Sequence, residues 1–382
     1  MQDVVTQFHT FGSAEDPFHL FNGQRLDEVT VAYETYGELN AAKDNAVLLF
    51  HAFSGSQHAA GRNESVDGVA LWRDDCHDGW WHDFVGPDKA LNTDRFFVVC
   101  CNYLGGCYGS TGPRSMNPAT GEAYAGDFPH VRFADIVDAQ MHLLDHLGIN
   151  KLHGAVGASL GGILASVLAT RHPQRVNAVI SLSSGVEVPV LTRIQNFEQI
   201  SAIERDANYK GGHYYGGEVP NGGLALARMI AHKTYVSLGT LVDRARKEMK
   251  AGVHFAFYDF AHSIESYMYH QGEKFVKRFD ANTYLRILDA WNHFDLASEA
   301  RAESIAEALA PCGDQRWLIF SIDSDVCFYP SSQKHLASVL KTAEVPYQHM
   351  TVHSGKGHDA FLLQPELFTP HLSYFLENGS TA

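Results

Sequence analysis

Apolar residues recur along the chain in two registers. Short apolar, β-rich runs occupy 29–37 (VTVAYETYG), 45–53 (NAVLLFHAF), 95–105 (RFFVVCCNYLG), 151–157 (KLHGAVG), 177–185 (NAVISLSSG), 316–323 (RWLIFSID) and 346–354 (PYQHMTVHS). Rich in branched and aromatic residues, these runs read as strands, several of them covered on both faces. Between them the apolar residues fall at i, i+3, i+4 and i+7, most clearly in FADIVDAQMHLLDHLGI at 133–149, the period of a helix packed on one side. Strand and helix in alternation predict an α/β fold with a mostly parallel central sheet and right-handed crossovers. The first two strands are expected to pair antiparallel at its edge.

One region departs from the alternation. From 186 to 300 the pattern is helical throughout, with LALARMIAHKTYVSLGTLVDRARKEM and DANTYLRILDAWNHF as its clearest amphipathic pieces. This predicts a core in two parts, 1–185 and 301–382, with a helical cap inserted at 186–300. Glycine clusters at 104–112, 211–217 and 221–223 read as loops, and the closing LENGSTA is expected to fray.

Composition adds exclusions. A net charge of -15 over 382 residues argues against nucleic acid or an anionic membrane as partner, because those surfaces demand clustered Lys and Arg. Cys76, Cys100, Cys101, Cys107, Cys312 and Cys327 form no CxxC pair, which points to reduced thiols. The opening MQDVVTQFHTFG lacks the cationic start and apolar stretch of a signal peptide, so a cytoplasmic location is expected. The weakly polar stretch 154–170 is shorter than the ~20 residues of a membrane span and carries glycines and serines.

That stretch carries chemistry instead. Gly157-Ala158-Ser159-Leu160-Gly161 lies between a strand and a helical pattern, the setting of a nucleophile elbow, with Ser159 projected above the sheet and the Leu160 N–H as half of an oxyanion hole. On such a sheet the acid and base follow in chain order after later strands. Asp325 follows the strand at 316–323 and His358 the strand at 346–354; Asp323, at the strand end, reads as a cap or turn residue. The second oxyanion donor is placed on the N–H of Phe53, beside Ser54 and Gly55, and His51 is read as structural. The chain has no G-x-G-x-x-G after its early strands, no Gly-Lys-Ser/Thr loop and no His-Glu-x-x-His, so no bound cofactor and no metal are expected.

Several longer segments resemble one family. NYLGGCYGSTGPRSMNPATGEAYAGDFP (102–129), GASLGG, GLALARMIAHKTY (223–235), IESYMYHQGEKFVKRFDANTYL (264–285) and GHDAFLL (357–363) resemble the homoserine O-acyltransferases of the α/β-hydrolase superfamily, over about 29–363. The resemblance implies transfer of an acetyl or succinyl group from coenzyme A to the homoserine hydroxyl, early in methionine synthesis, through an acyl-enzyme on Ser159. It implies Asp325 and His358 as partners of the serine, Arg228 and Tyr235 as holders of the acceptor carboxylate, Asp359 as holder of its ammonium group, and a homodimer. A bidentate arginine and an aspartate beside the base suit an amino-acid acceptor.

The chain also departs from the family. Ile163-Leu164 stand where relatives usually carry Met-Gln, and Ile200 where they often have arginine; both changes are expected to remove polar groups near the acyl site. Residues 53–61 and 160–164, expected to line the acyl slot, hold no Lys or Arg. A buried unpaired carboxylate is costly, so acetyl-CoA is the expected donor. HAFSGSQHAAG, however, resembles the form seen in succinyl-transferring relatives, with His58 or Arg62 as the cation for a succinyl carboxylate. A hydrolase using the same triad is the principal rival, and a silent receptor of the same fold is the other.

Overall fold

The computed structural model describes residues 3–246 and 255–378. Among them, eight strands form one sheet: β1 (Gln7–Phe11), β2 (Val29–Tyr36), β3 (Ala46–Phe50), β4 (Phe97–Cys101), β5 (Gly154–Ala158), β6 (Ala178–Leu182), β7 (Arg316–Ile322) and β8 (Tyr347–Val352). Their spatial order is β1-β2-β4-β3-β5-β6-β7-β8. From β4 onward every pairing is parallel. The central strands β3, β5 and β6 are buried at every residue, which is why they read as unbroken apolar runs.

The edge differs from expectation. The first two sequence-predicted strands do not pair; β2 runs antiparallel to β1 on one side and to β4 on the other. The all-apolar β4 takes the interior place next to β3. The strand at 7–11 (QFHTF) carries no sequence signal, since as an edge strand it is mostly exposed and half polar.

Helices α1 (Phe133–His146) and α2 (Leu160–Arg171) pack on each other. Between β6 and β7 come α3 (Val190–Glu204), α4 (Asn221–Tyr235), α5 (Leu238–Ala245), α6 (Ser263–Phe275) and α7 (Ala281–Asn292), with α4 packed against both α3 and α6. The amphipathic stretch predicted at 224–249 is broken at extended, fully buried Val236; its last residues, 247–249, lie outside the described residues. Ser237 caps α5 by accepting from Thr240 N at 3.2 Å, and its own N–H donates to Lys356 O at 3.2 Å. The break therefore seats the start of α5 on the loop that precedes His358. The predicted frayed tail begins within a final helix (Thr369–Glu377), and residues 379–382 lie outside the described residues. Among the described residues no helix is long and apolar enough to cross a membrane, and all six cysteines are free, five of them buried.

Candidate active site

Ser159 sits between β5 and α2 with φ 58° and ψ −126°. A non-glycine residue in that region costs on the order of 1–3 kcal/mol and persists only where its surroundings compel it. They do so here. Ser159 N donates to Leu182 O at 2.8 Å on the neighbouring strand. A Cβ on Gly157 would stand 2.0 Å from Gly161 O, and one on Gly161 2.3 Å from Phe50 O. The two glycines of the motif are thus the places where strand and helix backbones touch. The serine faces the positive end of α2, whose first N–H belongs to Leu160.

The expected base, His358, and its expected partner, Asp325, stand beyond the carboxyl ends of β8 and β7. Asp325 Oδ2 lies 2.7 Å from His358 Nδ1, and Asp325 Oδ1 accepts from the backbone N–H of Cys327 and Phe328 at 2.8 and 2.9 Å. Both side chains are buried. Asp323 is turned elsewhere, to His353 Nδ1 at 2.8 Å and Ser354 N at 3.1 Å. Burial lowers the His358 pKa, but the charge and hydrogen bond of Asp325 outweigh it and leave it raised. His358 Nε2 is buried without a hydrogen-bond partner among the described residues, free to take a proton from a group brought against it.

The turn after β3 has a fixed orientation. Ala52 O accepts from Gly55 N at 2.9 Å and from His51 Nδ1 at 2.7 Å. With that carbonyl tied on one side, the planar peptide directs the Phe53 N–H to the other. His51 stacks on Tyr103 with ring centroids 3.6 Å apart, and complete burial pulls its pKa down to about 4. It is a neutral brace, as expected of a structural residue.

A cavity of about 210 Å³ brings these groups together: Ser159, Phe53 and His358 line it with Arg228, Tyr235 and Asp359. Larger hollows occur elsewhere, one of about 450 Å³ around Lys89 and one of about 540 Å³ around Arg171, and neither contains Ser159 or His358. Arg228 holds its guanidinium 4.9 Å from the Tyr235 ring and 4.8 Å from the Phe275 ring, and its Nε is buried without a partner among the described residues. Burial raises the Asp359 pKa against the opposing pull of His358, Arg228 and Arg244. Burial likewise pushes the Tyr235 hydroxyl up to about 12. No ion pair joins Arg228 to Asp359 among the described residues, so a cationic and an anionic site face one small cavity.

Several expectations about the acyl slot are overturned. Of 53–61 only Phe53, Ser54 and Gly55 line the cavity, and of 160–164 none does. Ile163 and Leu164 are fully buried and Ile200 packs against the core; none of the three replaces a polar group in the cavity. His58 is bound to Glu34 at 2.7 Å and to His77 O at 3.0 Å, and Arg62 makes exposed ion pairs with Glu64 and Asp78. Neither lines the site. The cation that does, besides Arg228, is Arg278, which the sequence reading missed; Trp80, Trp291 and Cys327 also line it unannounced. Arg278 lies in the quoted segment KFVKRFDANTYL, but its direction depends on the packing of α6 and α7, for which the sequence carries no local mark.

The comparisons with known proteins bear on this geometry. Residues 45–365 match the family model of the alpha/beta hydrolase fold. A homoserine O-acetyltransferase of Haloarcula marismortui is 40% identical over 94% of the chain and 89% of its own length. A homoserine O-succinyltransferase of Alkalilimnicola ehrlichii is 39% identical over 95% of the chain and 93% of its own. Among solved structures, a homoserine O-acetyltransferase from Bacillus anthracis superposes with a TM-score of 0.87 at 27% identity, covering 98% of each chain. Esterase E22 superposes with a TM-score of 0.86 at 27% identity, covering 97% of this chain and 100% of its own.

Proposed function

Because the chain belongs to the homoserine O-acyltransferase family of the α/β-hydrolase fold, we propose that it moves an acetyl group from acetyl-CoA to the hydroxyl of L-homoserine through an acyl-enzyme on Ser159. The observation that carries this reading is one small cavity lined by Ser159, by His358 bound to Asp325, and by separate charges suited to a zwitterionic acceptor.

The chemistry has two halves. In the first, His358 Nε2 takes the Ser159 proton as Oγ bonds to the thioester carbon. The oxyanion rests on the N–H groups of Phe53 and Leu160, and the C–S bond breaks as His358 returns the proton to the leaving thiolate. In the second, Arg228 and Tyr235 hold the homoserine carboxylate and Asp359 its ammonium group. The homoserine hydroxyl gives its proton to His358, attacks the acyl carbon and releases Ser159, which regains the proton. Asp325 keeps Nδ1 protonated so that Nε2 is the basic nitrogen. The cap limits the water that would otherwise take the acyl group.

The Haloarcula relative and the small size of the cavity support acetyl. A second reading, succinyl-CoA as donor, is favoured by Arg278 in the cavity and by the Alkalilimnicola relative. As part of the same proposal, 186–300 acts as the cap on a core formed by 1–185 and 301–382, and the protein works in the cytoplasm in methionine synthesis. It is proposed to be a homodimer, since α3 exposes Val190, Leu191, Ile194 and Phe197 along its length. Thiol release from acetyl-CoA and succinyl-CoA, each with homoserine, serine or no acceptor, tests the reading. Acetyl-CoA with homoserine should have the highest kcat/KM. A higher value for succinyl-CoA overturns the donor, and steady thiol release without any acceptor makes the protein a hydrolase.

A further inference from the structure

The oxyanion turn is held from two directions. From the core, His51 and the Gly55 N–H fix Ala52 O. From the cap side, Arg278, in the link between α6 and α7, donates from Nη1 to Ser54 O at 3.2 Å and to Tyr108 Oη at 3.0 Å. Tyr108 Oη in turn donates to Arg278 O at 2.6 Å, which closes a ring between the loop at 102–112 and the cap. The Arg278 guanidinium lies 5.2 Å from the Phe275 ring, the same ring that Arg228 covers. Among the described residues Arg278 forms no ion pair, yet it lines the cavity with Ser159.

A partly buried arginine without a carboxylate partner is an expensive way to fill space. Its value here lies in what Nη1 grips: the carbonyl of Ser54, one residue beyond Phe53 in a turn closed by a single backbone hydrogen bond. Rotation of the 52–55 turn would swing the Phe53 N–H away from the acyl carbon, and oxyanion donors work only when they are held in advance at hydrogen-bond distance.

We propose that Arg278 is a positioning residue for the oxyanion turn, coupling the seating of the cap to the aim of the Phe53 N–H. The proposal rests on the acyl-enzyme reading above. It implies a signature that substrate binding would not give. Both half-reactions pass through an oxyanion on the same carbon, so loosening the turn slows both alike, whereas loss of an anion-binding group slows only the half-reaction whose substrate carries the anion.

The test is kcat/KM for acetyl-CoA and for homoserine in the full-length protein, measured for Arg278→Met, Arg278→Lys and Tyr108→Phe beside the unaltered enzyme, with thermal midpoints. In a two-step exchange each kcat/KM reports its own half-reaction. Arg278→Met should lower both by the same factor, about 10- to 100-fold. Arg278→Lys, which keeps one donor for Ser54 O, should recover part of both. Tyr108→Phe should lower both by about 3-fold and carries the test if Arg278→Met does not fold. A loss confined to one substrate, or activity unchanged in a folded Arg278→Met, overturns the proposal. Failure of the acyl-enzyme reading shows separately, as the absence of an acyl group on Ser159 in the unaltered protein.

Discussion

The two walls of the cavity are built on different principles. The core wall carries Ser159, the Phe53 turn and His358 on turns beyond the carboxyl ends of strands; backbone contacts at Gly157, Gly161 and Gly357 shape the first and the last, and His51 helps to hold the middle one. The cap wall carries Arg228, Tyr235 and Arg278 on helices and a helix link, where long side chains reach inward past aromatic rings. The groups proposed to make the bond are thus held by their own turns, while those proposed to choose the substrate stand on helices that join the core through one shared apolar cluster. A polar contact is added at the seat of Ser237 and Thr240 on the loop before His358, where Thr240 Oγ1 donates to Gly355 O at 3.1 Å. With Arg278 kept, changes at Arg228 and Tyr235 can alter the choice of acceptor while the chemistry stays.

The largest effect should follow from the core wall. Ser159→Ala removes the nucleophile without touching the glycines that shape the elbow, so the fold and thermal midpoint should be kept while turnover falls by about 10⁴-fold or more. Steady-state thiol release checks it. A folded Ser159→Ala variant with substantial turnover would mean that the core wall is not where the bond is made.

The cap wall should behave differently. Arg228→Leu is expected to leave the initial thiol release from acetyl-CoA nearly intact and to weaken the homoserine half-reaction by about 2–4 kcal/mol, a factor of roughly 30 to 1000. Rapid-mixing measurement of the burst and kcat/KM for homoserine separate the two. If the burst is lost as well, Arg228 serves the donor or the fold, and the division between the walls fails.

A smaller effect sharpens the role of Asp325. In the proposed mechanism His358 must be neutral to accept the serine proton, and Asp325 raises its pKa above the usual 6.5. The rate of acylation should therefore fall as pH drops through a value above 6.5. In Asp325→Asn the charge that raises the pKa is gone, and the acidic limb of whatever activity remains should move to lower pH. A limb below 6.5 in the unaltered enzyme would contradict this coupling.

The same contrast governs what could be read from the sequence. The elbow was legible because its glycines, its strand and its helix are adjacent in the chain, Asp325 because it follows an apolar run, and His358 because it follows the next strand in the chain order expected of the base. The early edge of the sheet was not, since the strand at 7–11 is exposed and alternates weakly, and the pairing of 29–36 with 97–101 is set by which strand is apolar enough for the interior. On the cap wall, Arg228 and Tyr235 came only through the likeness to a family. Arg278 was missed because a charged residue in a helix link looks the same whether it points to water or to Ser54 O. The supposed slot residues 160–164 failed for a related reason, as a helix that starts at the nucleophile turns its next residues into the core.

The central claim is that Ser159 carries the acyl group between two substrates. Intact-protein and peptide mass spectrometry after brief exposure to acetyl-CoA without acceptor tests it most directly. The account expects one acetyl group on the peptide containing Ser159, absent in Ser159→Ala and removed on adding homoserine with formation of O-acetylhomoserine. An unmodified Ser159 during active turnover, or an adduct that homoserine does not discharge, would contradict it.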